Sequence, residues 1–416
     1  MLIVNAKLID GTGAAVRPAA IEVAAGKIVS IRHSAPASGI QEVIDAGGGY
    51  VMPGLIDAHD HLTLKGLLLD RGGAHYYDIY RSPAEAQLLQ CGRSALVALS
   101  RGITTFRDAG AAWFASLHAR NAIRSGQIPG PRVVTCGQVL STPFQGEGVK
   151  VAGMTIDADG VEGVKARVAE LAEMGVDFIK LKGHRRDFAD LDRTQYFSAE
   201  EIVTAGREAH RLGLRFAVHA WHNQIVEAAL NAGVADSVEH GNPLADQPEL
   251  LDRMAADGVI YVPNLISWAP TPDRDPRYPS MAGIKLERVW DSVELAIRKA
   301  VPLAAGADLH TDHLHSELEA YVRLGLPVEN ALETVTVNGA RLIGATDKLG
   351  TVEPGKLADL IVLPGDPRED LSMLASPTWV VSRGVAYDCG QLRRLVSDRG
   401  PEESIATPPP AIGNPS

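Results

Sequence analysis

The sequence contains few cysteines. Among its 416 residues there are three, Cys91, Cys136 and Cys389, and they lie far apart in the chain. This spacing leaves no C-x-x-C pattern of the kind that zinc and redox motifs use. An odd and small number of isolated cysteines is typical of a reducing compartment, so we expect a cytoplasmic protein.

The sequence also lacks long apolar runs and an excess of positive charge. No segment approaches the ~18 uninterrupted apolar residues of a membrane span. The first residues have the pattern of a strand and not of a signal peptide. The formal net charge is −11. Because nucleic acids and anionic membranes favour basic surfaces, we expect neither as a partner, and we expect a small-molecule substrate instead.

Both ends of the chain have the pattern of small β structure, with short apolar runs separated by turn residues. The candidate strands there are Leu2–Ile9, Ile21–Ala24, Ile28–Ile31, Glu42–Asp45, Ala358–Leu363, Thr378–Ser382 and Val385–Tyr387. We predict that residues 1–49 and 350–390 form one small β-sandwich domain. Residues 391–416 are predicted to be a C-terminal segment that ends in a disordered, proline-rich tail.

Between these ends, residues 50–349 alternate short apolar runs with longer amphipathic stretches. The candidate strands are Leu55–His59, Ile103–Arg107, Arg132–Cys136, Val176–Lys182, Leu214–His219, Ser237–His240, Val259–Val262 and Pro302–Ala307. The candidate helices include Pro83–Ser100, Gly160–Met174, Ala199–Leu212, Asn223–Ala232, Leu244–Ala256 and Ile284–Lys299. Eight such repeats predict an α/β fold with a (β/α)8 TIM barrel, whose usual size is about 250 residues. An open doubly wound sheet is the alternative, because short apolar strands do not reveal closure.

Polar residues at the ends of these strands indicate a metal site. His59 and His61 follow an apolar run with one residue between them, and residues two apart in a strand point to the same side. Two imidazoles can therefore reach one cation. Catalytic residues of a barrel lie at the carboxyl ends of its strands. The other strands that end in candidate ligands carry Lys180 or Lys182, His219, His240 and Asp308. Strand alternation does not choose between the two lysines, since both lie on the same face.

These residues lie in motifs that resemble the amidohydrolase superfamily of metal-dependent hydrolases. The resemblance covers nearly the whole chain, and its most specific motifs are Pro53–His61 and Pro354–Leu360 together. The other motifs are Asp177–Lys180, Val218–Ala220, Ser237–Gly241 and Ala305–Asp308. Within the superfamily the chain is most similar to the prolidase-like and imidazolonepropionase-like branch. That branch includes Xaa-Pro and Xaa-Arg dipeptidases and ochratoxin-type amidases.

The resemblance implies a centre with two divalent cations, for which zinc is the expected metal. Lys180, and not Lys182, would be N-carboxylated by CO2, because a carbamate is an anion that can bridge two cations. The implied ligands are His59, His61 and Asp308 for one cation, and His219 and His240 for the other. A homo-oligomer is implied by the resemblance alone.

The implied reaction is hydrolysis of a carbon–nitrogen amide bond in a peptide-like compound, an N-acyl amino acid or a related amide. A hydroxide that bridges the cations would attack the carbonyl, with Asp308 as general base and then general acid. The alternatives are a cyclic-amide hydrolase or a mononuclear deaminase of the same superfamily, and, from another class, a non-catalytic scaffold. Related deaminases commonly carry a glutamate where this chain has His222, which argues against deamination.

Five residues are predicted to contact substrate: Trp221, His222, Tyr261, Asn264 and His310. Trp221 is predicted either to wall an apolar substrate or to pack internally. His310 belongs to a polar cluster after Asp308 that also contains Asp312, His313 and His315. Related enzymes often carry a histidine among glycines after the third strand. The corresponding loop, residues 141–148, has none, which argues against recognition of a dipeptide carboxylate.

Overall fold

The computed structural model describes residues 1–34, 42–63, 82–143, 153–186, 194–241, 243–267, 286–308 and 313–397. Its strands are β1 (Leu2–Leu8), β2 (Arg17–Ala24), β3 (Lys27–Arg32), β4 (Val43–Asp45), β5 (Tyr50–Pro53), β6 (Leu55–Asp60), β7 (Ile103–Asp108), β8 (Arg132–Thr135), β9 (Val139–Ser141), β10 (Thr155–Asp157), β11 (Phe178–Lys182), β12 (His184–Arg186), β13 (Thr194–Tyr196), β14 (Arg215–Ala220), β15 (Ser237–His240), β16 (Ile260–Val262), β17 (Leu360–Leu363), β18 (Trp379–Ser382) and β19 (Val385–Asp388). Its α-helices are α1 (Ala84–Ser100), α2 (Ala115–Arg124), α3 (Gly160–Glu173), α4 (Ala199–Arg211), α5 (Asn223–Asn231), α6 (Pro248–Asp257), α7 (Leu286–Arg298), α8 (Leu314–Arg323), α9 (Val328–Thr334), α10 (Val337–Leu342) and α11 (Cys389–Ser397).

The two ends of the chain meet in one eight-stranded sheet. Its strand order is β19-β18-β17-β5-β1-β2-β3, with β4 beside β1. The two ends join where β17 pairs antiparallel with β5. The hairpins β2–β3 and β18–β19 each turn through two residues with positive φ, Ala25-Gly26 and Arg383-Gly384, which is the geometry that two-residue hairpins favour. The sheet continues to Pro53, four residues past the predicted boundary. That it forms a separate sandwich domain stays a prediction.

The middle of the chain forms parallel strands arranged as a TIM-barrel-like fold. Parallel pairing runs from β6 through β7 to β8, and from β11 through β14 and β15 to β16. The two groups are joined where Asp177 N donates to Thr135 O at 2.8 Å. The predicted alternation of strands and helices is therefore confirmed.

Residues 302–308 take the eighth position in this ring. Tyr261 N donates to Pro302 O at 2.9 Å on one side of the segment, and Ala58 N donates to Ala305 O at 2.9 Å on the other. The bonding thus returns to β6, which does not fit an open doubly wound sheet. The segment makes one isolated parallel bridge, Tyr261 to Leu303, so it is extended without forming a full strand.

The helices begin and end close to their predicted bounds. At α4, Ser198 accepts from Glu201 N, and the Glu201 side chain accepts from Ser198 N, which is a capping box. The predicted start of α6 at Leu244 was wrong, because a short 3-10 turn occupies Leu244–Asp246 and Pro248 begins the helix. No helix in the described ranges is long and apolar enough to cross a membrane.

A buried carboxylate ties the end sheet to the barrel. Asp359, just before β17, accepts from Arg132 Nε and Nη2 at 3.3 and 3.2 Å and from Arg383 N at 2.7 Å. The helix α11, which was not predicted, packs near α1, where Arg93 Nη2 donates to Val396 O at 3.1 Å. These contacts join the end sheet and α11 to the barrel.

Candidate metal centre

The carboxyl end of β6 carries His59 and His61, and all six residues of the strand are buried. His59 Nδ1 donates to Glu239 Oε2 at 2.6 Å, and His61 Nδ1 lies 2.7 Å from Gly110 O. In a neutral imidazole a donating Nδ1 leaves Nε2 with a free lone pair. The two Nε2 atoms are therefore available as ligands, as expected of histidines oriented by a carboxylate or a carbonyl.

Lys180 reaches the same place from β11. Its Nζ lies 2.9 Å from His59 Nε2, and the residue is 3% exposed. Burial lowers the pKa of Lys180, because the ammonium form loses its hydration. Lys182, two residues along the same strand, is partly exposed. The structure thus brings Lys180 to the histidines.

His219 and His240 end the neighbouring parallel strands β14 and β15. Their ring centroids are 4.4 Å apart, and the His240 ring lies 5.0 Å from that of His59. Burial is the main cause that lowers the pKa of His59 to about 4 and that of His240 to about 3. Both rings are therefore neutral at pH 7, which is the form that binds metals.

Asp308 completes the cluster from the end of the eighth segment. Its Oδ1 lies 3.4 Å from His61 Nε2 and 4.0 Å from His59 Nε2. Burial alone would raise the pKa of Asp308, but its contact with His61 and the nearby His59 and His240 outweigh it and hold the pKa well below the usual range. The carboxylate is therefore ionised at neutral pH.

The donor atoms suit a divalent cation. Because His61 Nδ1 is bonded to Gly110 O, only a protonated, charged His61 can also donate through Nε2 to the Asp308 carboxylate 3.4 Å away. A cation between Nε2 and the carboxylate would take the place of that proton. Ligand atoms of His59, His240 and Asp308 also lie within 4.8 Å of one another. The residues present fit the metal chemistry of imidazole and carboxylate ligands.

A buried ion pair lies behind the histidines and was not predicted. Arg107 Nη1 donates to Glu239 Oε1 at 3.1 Å and to Ala58 O at 2.8 Å, and Ser237 Oγ donates to Glu239 Oε1 at 2.6 Å. Burial alone would raise the pKa of Glu239, but Arg107 and His59 outweigh it and lower it. The sequence signal for this pair was a charged residue within each of two buried strands, Arg107 in β7 and Glu239 in β15.

The predicted substrate contacts fall in different places. Trp221 is partly buried, with its ring centroid 5.6 Å from that of His219, and His222 is partly buried at the start of α5. Tyr261 and Asn264 are fully buried. Tyr261 OH donates to His240 O at 2.8 Å, and Asn264 Nδ2 lies 3.4 Å from His240 Nδ1. Both residues therefore contact His240 and are closed off from solvent, and a substrate contact for them stays a prediction.

Three of the predicted regions lie outside the described residues. These are His310 with Asp312, residues 144–148 of the loop after the third strand, and residues 398–416 of the predicted tail. In the described part of the cluster, the rings of His313 and His315 are 6.1 Å apart.

A barrel whose rim gathers imidazoles, an aspartate and a buried lysine defines a metal-hydrolase class of site. A model of the amidohydrolase family matches residues 50–385, and the chain therefore belongs to that family. It is a hydrolase that acts on carbon–nitrogen bonds. The predicted membership of the amidohydrolase superfamily is therefore confirmed.

Three individual proteins are similar to most of this chain. The crystal structure of a Xaa-Pro dipeptidase with methionine bound in its active site is 28% identical and superimposes with a TM-score of 0.80, covering 93% of this chain and 99% of that one. An uncharacterized protein of Mycobacterium tuberculosis is 27% identical, covering 85% of this chain and 88% of its own length. An imidazolonepropionase of Caldanaerobacter subterraneus is 24% identical over 85% of each chain.

Proposed function

We propose that the protein is a binuclear metal-dependent hydrolase that cleaves a linear amide bond. The observation that carries the proposal is the position of Lys180 Nζ, buried 2.9 Å from His59 Nε2 among neutral imidazoles. A lysine held there as an ammonium would repel a cation. Burial lowers the pKa of Lys180 and so favours its neutral amine over the ammonium. The neutral amine can attack CO2, form an N–C bond and lose a proton to give a carbamate anion.

The carbamate of Lys180 would bridge two divalent cations, most simply zinc. The other ligands would be His59, His61 and Asp308 on one side, and His219 and His240 on the other. Bound cations would supply an acidified water and polarise the scissile carbonyl.

The residues of the chain then handle orientation and the proton. Asp308 is ionised and lies at the rim beside His61 and His59, so its carboxylate can take a proton from the attacking water. The same carboxyl then gives the proton to the leaving nitrogen, as a general acid. Glu239 and Gly110 O keep the two Nε2 atoms of the His-x-His pair aimed at the site.

The proposed substrates are peptide-like compounds, N-acyl amino acids and related amides. The similarity to a Xaa-Pro dipeptidase supports the linear, peptide-like class. A cyclic-amide hydrolase or mononuclear enzyme is the second candidate. It is favoured by the similarity to imidazolonepropionase and by the three-ligand group His59, His240 and Asp308, which can hold one ion by itself.

The test compares Lys180→Ala with Lys182→Ala, since both change a lysine of β11. Metal per chain is measured by mass spectrometry, and turnover is measured on a panel of dipeptides, N-acyl amino acids, carbamates, anilides and cyclic amides. We expect two metals in the wild type, loss of metal and activity in Lys180→Ala, and partial recovery with added short carboxylic acids. Lys182→Ala should behave as the wild type does. Full activity and metal content in Lys180→Ala would refute the binuclear proposal, and one metal with cyclic-amide turnover in the wild type would favour the second candidate.

A further inference from the structure

Residues 264–267, which follow β16, lie between two of the proposed ligands. Asn264 Nδ2 is 3.4 Å from His240 Nδ1 at one end of this segment. At the other end, Ser267 Oγ donates to Asp308 O at 2.7 Å. Asn264 has a φ of 56°, a left-handed conformation that asparagine tolerates better than most residues. The segment therefore connects His240 to Asp308 through four residues.

A buried carboxylate of α8 anchors this segment. Glu317 is fully buried and accepts from Leu265 N at 2.7 Å and from Ile266 N at 2.8 Å. It also accepts from Tyr321 OH at 2.8 Å, one turn along the same helix. A carboxyl group buried in this way is costly unless it is hydrogen-bonded, and two of its three bonds hold the segment to α8.

Glu317 takes no part in the chemistry described above. We infer that Glu317 is a positioning residue that, through residues 264–267, sets His240 and Asp308 relative to each other. The inference rests on the proposed function, in which these two residues bind different cations. A displacement of about 1 Å at such a site can lower turnover by about 100-fold, so a rigid link between the two ligands has a direct catalytic effect.

The two ends of the segment act on their ligands differently. Asn264 Oδ1 is buried and has no hydrogen-bond partner among the described residues. A half-turn of the amide brings this oxygen to His240 Nδ1, where it accepts the ring N–H and leaves Nε2 for a cation. Ser267 instead holds the main chain of Asp308 and so sets the direction of its carboxylate.

The test uses four variants, each measured for metal affinity by chelator competition, metal per chain, kcat and KM. Asn264→Gly keeps the left-handed backbone and removes the amide, so one cation should bind about 10–100-fold more weakly. Ser267→Ala should lower kcat about 10-fold or more. Both metals should be retained, because His59, His61 and the proposed carbamate of Lys180 would still hold the cation that Asp308 binds. In Glu317→Gln the amide has one acceptor oxygen, so it cannot replace both carboxylate oxygens that accept from Leu265 N and Ile266 N. This variant should show both the weaker metal binding and the lower kcat.

Tyr321→Phe is the matched control, because it removes one hydrogen bond to Glu317 and leaves the two bonds to the segment. We expect wild-type metal affinity and kcat for it. The inference is refuted if Glu317→Gln keeps both properties in an enzyme whose wild type binds two metals, or if Tyr321→Phe loses as much as Glu317→Gln. If Glu317→Gln fails to fold, Asn264→Gly and Ser267→Ala must still divide the two losses as described, and equal losses in both would refute the inference. A wild type that binds no metal would refute the proposed function itself.

Discussion

Replacing Glu239 with glutamine should weaken metal binding and destabilise the protein, by two separable routes. Glu239 accepts from His59 Nδ1 at 2.6 Å and from Arg107 Nη1 at 3.1 Å, and all three side chains are nearly or wholly buried. The substitution removes a negative charge while it preserves shape. It leaves Arg107 as a buried cation without a counter-charge, and it turns the partner of His59 into a group that can donate as well as accept.

The size of each effect follows from these contacts. Removal of one partner of a buried ion pair costs about 3–5 kcal/mol in the free energy of unfolding. Loss of the carboxylate behind a metal-binding histidine weakens metal affinity about 10–100-fold. Replacing both charges removes the first cost, because no unpaired ion remains. The double variant Glu239→Gln with Arg107→Met should therefore recover most of the stability and none of the metal affinity.

The assay is urea unfolding of the metal-free proteins together with chelator competition for the metal. Arg107→Met alone completes the cycle, and it should also be destabilised, since it leaves Glu239 unpaired in the same buried site. The reasoning is wrong if the double variant is no more stable than Glu239→Gln, or if Glu239→Gln binds metal as tightly as the wild type.

Three further predictions concern protonation, packing and the junction of the sheet with the barrel. Burial lowers the pKa of His59 from 6.5 to about 4 and that of His240 to about 3, so the unfolded chain binds more protons than the folded chain in that range. The metal-free protein should therefore lose stability as the pH falls from 6.5 to about 4. Urea unfolding at several pH values should show that the free energy of unfolding changes less with pH in His240→Asn than in the wild type, and an equal change would contradict this. A Cβ on Gly306 would lie 2.7 Å from the main-chain nitrogen of His59, so Gly306→Ala should lower the metal content and lower the free energy of unfolding by about 1–3 kcal/mol. The control Gly163→Ala, in an open part of α3, should raise the free energy of unfolding by about 0.5–1 kcal/mol. Asp359→Asn should lower the free energy of unfolding by about 3 kcal/mol without changing kcat, and a normal urea midpoint would show that its arginine contact in β8 contributes little.

The sequence predicted the barrel strands well because parallel strands buried on both faces are short, apolar and bounded by turns. The positions of the histidines and Asp308 at strand ends then predicted that they share one rim. Alternation alone did not separate Lys180 from Lys182, and only the family resemblance did. The position of Lys180 Nζ at His59 agrees with that choice.

Other features depend on contacts that no local pattern contains. Arg107 and Glu239 are 132 residues apart in the chain, and no local sequence pattern predicts that these two charged strand residues form an ion pair. The positions of Tyr261 and Asn264 near a strand end indicated that they lie close to the site. They did not indicate that both side chains contact His240. The helix α11 is short and follows a hairpin, so its residues had the pattern of the start of a tail.

The strand order of the end sheet has a consequence for synthesis of the chain on the ribosome. The side of β5 that pairs with β17 has no partner until residue 360 has been translated. At ~5–20 residues per second, the ~300 residues between them take roughly 15–60 s. For that time the nascent chain presents an open strand edge, which is the kind of surface that recruits chaperones or other chains.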